Sequence, residues 1–119
     1  MRIDIHTDDS AVVEAWTDRV PELVSLARGR LADDPGEVGL LYAEHHLAEI
    51  APDTWASAWG LDAPPTPAEL LRRLQPVALW GDPADGLHLD LSIGEELTDY
   101  VLTFEVRADG TLGEMDMES

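Results

Sequence analysis

Residues 87 to 93 and 100 to 106 alternate with a period of two, and no other stretches constrain the fold as tightly. Leu87, Leu89, Leu91 and Ile93 are separated by His88, Asp90 and Ser92. Successive side chains of a strand point to opposite faces, so this pattern is a strand with one buried side. Tyr100, Leu102, Phe104 and Val106 repeat it, with Thr103, Glu105 and Arg107 on the other face. Asp109-Gly110 follows, a strong hairpin signal because glycine accepts the positive φ of the turn. Leu112, Met115 and Met117 are out of phase, which predicts a bulge or irregular start near Gly113. Val77, Leu79 and Trp80 form a shorter run, closed by the turn Asp82-Pro83-Ala84-Asp85-Gly86. The stretch from about 76 to 119 therefore reads as a three- to four-stranded antiparallel β-meander.

The preceding residues read as helices, over about 10–75. Asp8, Asp9 and Ser10 offer N-cap side chains ahead of Val12, Val13, Trp16 and Val20. The stripe continues through Leu23, Val24, Ala27 and Leu31, interrupted by Pro21, which predicts a kink or a second helix with proline in its first turn. Asp34-Pro35-Gly36-Glu37 predicts a capped helix start, with Asp34 as cap. That helix runs to about Ile50, with Leu40, Leu41, Ala43, Leu47 and Ile50 inward. Pro52-Asp53 caps a short turn that carries Trp55 and Trp59. Thr66-Pro67-Ala68-Glu69 is a capping box that opens a further helix through Leu70, Leu71 and Leu74. Arg2 to His6 is a weak strand candidate for the sheet edge. The expectation is one α+β domain over 1–119, with N-terminal helices packed on one face of the C-terminal sheet.

Charge narrows the partners. There are 25 acids against seven arginines and no lysine, a net charge of −18. Nucleic acid and anionic membrane surfaces both need the opposite sign, so neither is expected as a partner. The alternation places Asp90, Glu105, Glu114, Asp116 and Glu118 together on the outward sheet face, offset only by Arg107. Solvation explains most such charge runs; the functional alternative is a docking surface for a basic protein. There is no cysteine, hence no disulfide, thiolate nucleophile or thiolate metal site. No stretch has the form of a signal peptide or membrane span, which gives the expectation of a soluble cytoplasmic protein.

Chemistry-bearing motifs are sparse. Glu44-His45-His46-Leu47-Ala48-Glu49 is the only local cluster of ligand-type residues. His45 and Glu49 are four apart on the expected helix, and His46 and Glu49 three apart, so a pair could grip a divalent metal. A third ligand would have to come from His6, His88 or Asp53. No nucleophile elbow, phosphate loop or calcium loop is present, which points away from an enzyme. No cofactor is implied.

Residues 70 to 119 resemble a bacterial family known only as a domain of unknown function, number two thousand and four of its series. The resemblance rests on Trp80 before a turn, Glu95 to Tyr100, Asp109-Gly110 and the terminal Met117-Glu118-Ser119, with His45-His46 before Leu47 as a further shared feature. With His45-His46 included it covers the C-terminal two thirds; the family carries a tyrosine-type aromatic where Trp80 stands. It implies an α+β domain and brings no catalytic residues.

Three functional expectations follow. The first is a non-enzymatic protein whose acidic face engages a basic protein, in its concrete form an immunity-type neutraliser of a basic bacterial toxin such as a nuclease. The second is a metal-binding protein or enzyme using His45, His46 and Glu49. The third is a domain that self-associates through apolar surface around Trp55, Trp59 or Trp80.

Overall fold

The computed structural model describes all of residues 1–119. Five helices lie between the first strand and the remaining four. In order they are β1 (Arg2–Ile5), α1 (Ser10–Asp18), α2 (Val20–Asp33), α3 (Gly36–Glu49), α4 (Pro52–Trp59), α5 (Pro67–Arg72), β2 (Gln75–Asp82), β3 (Gly86–Ser92), β4 (Val101–Val106) and β5 (Leu112–Glu118). The strands form one sheet in the order β1-β2-β3-β4-β5. The last four are the expected antiparallel meander. β1 joins its edge parallel to β2, with Ile3 opposite Leu79, so the sheet is mixed and five-stranded.

The meander follows its alternation. Leu87, Leu89, Leu91, Leu102, Phe104 and Val106 are all buried in the core. Each such side chain contributes about 1.5–3 kcal/mol when removed from water. Phe104 pairs with Met115 and Val106 with Leu112, so β5 carries one extra residue at Gly113-Glu114. This is the irregularity that the phase slip in the sequence predicts. The extra residue restores the phase, bringing Met115 and Met117 onto the core. Tyr100 is the exception to the pattern: β4 begins at Val101, and Tyr100 lies outside the strand and exposed.

The helices cover the core side. α2 begins at Val20 with Pro21 in its first turn, so the chain breaks rather than kinks there. Its buried face is Val20, Leu23, Val24, Ala27 and Leu31, the expected stripe. Arg28 and Arg30 are not spent on carboxylates. Arg28 Nε donates to the Leu74 carbonyl at 3.0 Å, and Arg30 donates to the Gly113 carbonyl, tying α2 to the start and end of the sheet.

Two helix assignments change. Pro35 rather than Asp34 occupies the N-cap position of α3, and the Asp34 side chain accepts from the Gly36 amide, the first of the helix, at 3.0 Å. Of the expected inward face of α3, Ala43 is buried and Leu47 and Ile50 pack against the core, but Leu40 and Leu41 are 41% and 57% exposed, and Gly39, Tyr42 and His46 are buried in their stead. Both stripes satisfy helical spacing, and packing chose the one whose tyrosine and histidine find polar partners across the core. Residues 52–59 form a helix, not a turn, closed by Gly60 at φ 67°. The capping box of α5 forms as read: the Thr66 hydroxyl accepts from the Glu69 amide at 3.2 Å. No helix is long and apolar enough to cross a membrane.

Candidate functional site

The sheet face away from the helices is open, and cross-strand register arranges its side chains in two rows. Trp80 lies opposite His88, and His88 opposite Glu105. Asp90 lies opposite Thr103, and Thr103 opposite Asp116. One row further, Val101 faces Glu118. The Trp80 and His88 rings stack with centroids 4.3 Å apart and planes 21° from parallel. Trp80 Nε1 donates to Asp90 Oδ2 at 3.1 Å, and Thr103 Oγ1 donates to Asp90 Oδ1 at 2.8 Å.

These contacts split the five expected docking acids. Both oxygens of Asp90 are engaged by neighbours, so it is a strut that fixes the Trp80 indole against His88. Glu105 is half-buried and lies 3.6 Å from Arg107. Glu114, Asp116 and Glu118 alternate along the outer side of the edge strand β5 and are exposed. The open face also includes Asp99 and the indole of Trp80, which sequence patterning did not assign to it. Trp80, His88, Asp90, Asp99, Asp116 and Glu118 line a depression of about 520 Å³. Arg2 is the only arginine in its lining, and its Nη1 is bound to Glu95 Oε2 at 3.1 Å. A cross-strand pairing scheme would have found Trp80 and Thr103 beside Asp90; nothing in the sequence places Asp99, which reaches the depression from the loop before β4.

The histidine cluster is a packing device. His46 is 2% exposed. Its Nδ1 lies 2.7 Å from the Tyr42 carbonyl, which can only accept, so Nδ1 carries the proton. Nε2, 2.8 Å from Thr98 Oγ1, therefore accepts from that hydroxyl. Thr98 Oγ1 in turn accepts from the Tyr100 amide at 3.0 Å. Tyr42 completes the clasp: its hydroxyl donates to the Tyr100 carbonyl at 3.1 Å and accepts from the Ile93 amide at 3.2 Å. Burial holds the His46 pKa below its ordinary 6.5, opposed by the bond to Tyr42 and assisted by neighbouring His45. Burial raises the Tyr42 pKa. Together these bonds pin the loop between β3 and β4 to α3.

That geometry weighs against metal at His45, His46 and Glu49. Both nitrogens of His46 are committed, the His45 ring lies edge-on to Tyr100 with centroids 4.9 Å apart, and Glu49 is exposed. His88 is stacked under Trp80, and His6 sits 3.7 Å from Asp4 on β1. No group of three or more histidine, cysteine, aspartate or glutamate side chains is arranged to hold a metal ion. The tryptophan surface expected for self-association is likewise dispersed. Trp55 is fully buried, Trp59 is half-buried beneath Arg73, and Trp80 belongs to the open sheet face.

No protein-family model matches the chain, and searches of curated proteins and of solved structures found no match. The functional reading is therefore carried by the geometry.

Proposed function

We propose that this chain is a non-enzymatic binding protein, and that its open sheet face receives a basic segment of a partner protein. The carrying observation is the depression that joins the indole of Trp80 to Asp99, Asp116 and Glu118, with its one arginine already paired. An arginine or lysine entering there meets several carboxylates and an aromatic face; cation–π contact adds about 0.5–2 kcal/mol. The field of a chain with net charge −18 would speed encounter with such a partner. A stoichiometric neutraliser of a basic bacterial toxin is the concrete form this reading takes.

The test compares two triple variants in binding a synthetic lysine- and arginine-rich peptide. One removes three charges from the face: Asp99→Asn, Asp116→Asn and Glu118→Gln. The other removes three exposed charges from the helices: Glu14→Gln, Asp33→Asn and Glu44→Gln. The face variant should associate more slowly than the helix variant at about 50 mM salt, with the difference shrinking at about 300 mM. Equal losses in the two variants would mean that net charge alone acts, and the face assignment would fall.

A further inference from the structure

Positive charge is scarce in this chain, which has seven arginines and no lysine, and six of the seven have visible partners. Arg2 binds Glu95, and Arg107 lies beside Glu105. Arg28 and Arg30 donate to backbone carbonyls. Arg19 and Arg73 lie over the rings of Trp16 and Trp59. Arg72, the last residue of α5, is exposed and has no hydrogen bond, ion pair or aromatic partner. It lines, together with Arg28, a groove of about 410 Å³ between α2, α3 and α5.

The groove is the chemical opposite of the sheet face. Its walls include Leu31, Leu40, Pro67 and Leu71, and none of its ten lining residues is an acid, in a chain that has 25. Leu40 is left 41% exposed at its edge. The volume lies within the range of small-molecule sites, about 300–1,000 Å³. Arg28 spends Nε and Nη2 on the Leu74 carbonyl, which leaves Nη1 free as a donor.

We propose that this groove binds a small amphiphilic anion: a carboxylate on an unbranched apolar body, with the head group on Arg72 and Arg28 and the body against Leu31, Leu40 and Leu71. Charge complementarity selects this occupant. A cationic amphiphile would meet the two guanidinium groups, and a neutral one would gain no ion pair from them. This site is independent of the sheet face and survives the failure of that reading.

Isothermal titration of the full chain with decanoate, below its micellar range, is the test, with decyltrimethylammonium as the charge-reversed probe. Decanoate should bind saturably at one site with Kd at or below about 1 mM. Arg72→Gln should weaken it about tenfold, the scale of one charge-assisted hydrogen bond. Leu40→Asp, at a position 41% exposed, should also weaken it. In a parallel NMR titration with decanoate, amide shifts should fall on α2, α3 and α5. Absence of saturable binding, equal binding of the cationic probe, an unaltered affinity in Arg72→Gln, or shifts centred on the sheet face would each overturn the proposal. Binding of acidic peptides but not of decanoate would overturn it too, in favour of a protein partner at the groove.

Discussion

Trp80 Nε1 donates to Asp90 Oδ2 at 3.1 Å across two neighbouring strands, on the face that no helix covers. The bond, with the stack on His88, fixes a large aromatic there at 38% exposure. Asp90 has a second donor in Thr103, so its two oxygens join strands β2, β3 and β4. Asp90→Ala should lose both bonds and destabilise the fold by about 1–3 kcal/mol in urea unfolding. Asp116→Ala, with no such partners, should stay within about 0.5 kcal/mol of the parent. Equal effects would show that Asp90 is an ordinary surface acid.

Tyr42→Phe removes the hydroxyl that receives the Ile93 amide and reaches the Tyr100 carbonyl. The Ile93 amide would then be buried without a partner, at a cost of about 1–3 kcal/mol. Hydrogen exchange should report faster opening of residues 93–100, while amides in the middle of α2 keep their protection relative to global stability. Uniform exchange changes across the chain would argue against a local clasp.

His46 makes part of the stability depend on pH. Its folded pKa lies below 6.5. Between those two values the unfolded chain binds more protons, so the contribution of His46 falls as pH drops below about 6.5, and is retained above it. Acidification also relieves repulsion among the 25 acids, which acts in the opposite direction. The difference between parent and His46→Gln therefore isolates the effect. The parent's advantage in thermal midpoint should shrink between pH 7.5 and pH 5 (a window of about two units around the ordinary imidazole value). A constant difference would mean that His46 titrates normally.

Gly110 sits at φ 87° in the turn between β4 and β5, where its amide donates to the Arg107 carbonyl at 2.8 Å. A side chain there would collide with the Arg19 guanidinium and adopt a backbone region that glycine alone enters freely. Gly110→Ala should destabilise the chain by about 1–3 kcal/mol, and Arg19→Ala should recover only the steric part. Full recovery would show that the backbone conformation carries no strain.

Much of the fold was legible because its signals are local. The alternation of Leu87 to Ile93 and Leu102 to Val106 named both faces of two strands. The slip at Leu112 and Met115 located the bulge, and Thr66 with Glu69 located a helix start. The candidate site was legible only in part. Asp116 and Glu118 could be assigned to the outer face from their strand, but Asp90 looks the same in the sequence and turns out to be bound on both oxygens. The contact that distinguishes them comes from Trp80 and Thr103, ten and thirteen positions away.

What the sequence determined by itself was the number and kind of most elements, the core faces of the strands and the sign of the surface charge, since each follows from periodicity, local capping or composition. The tertiary structure alone decided which stripe of α3 turns inward. Leu40 and Leu41 compete there with Tyr42 and His46 at equivalent helical spacing. The winners reach partners 52 and 51 residues away, in Thr98 and Ile93. Burying a polar group costs free energy unless such partners exist, and for Tyr42 and His46 their existence depends on the arrangement of the whole chain.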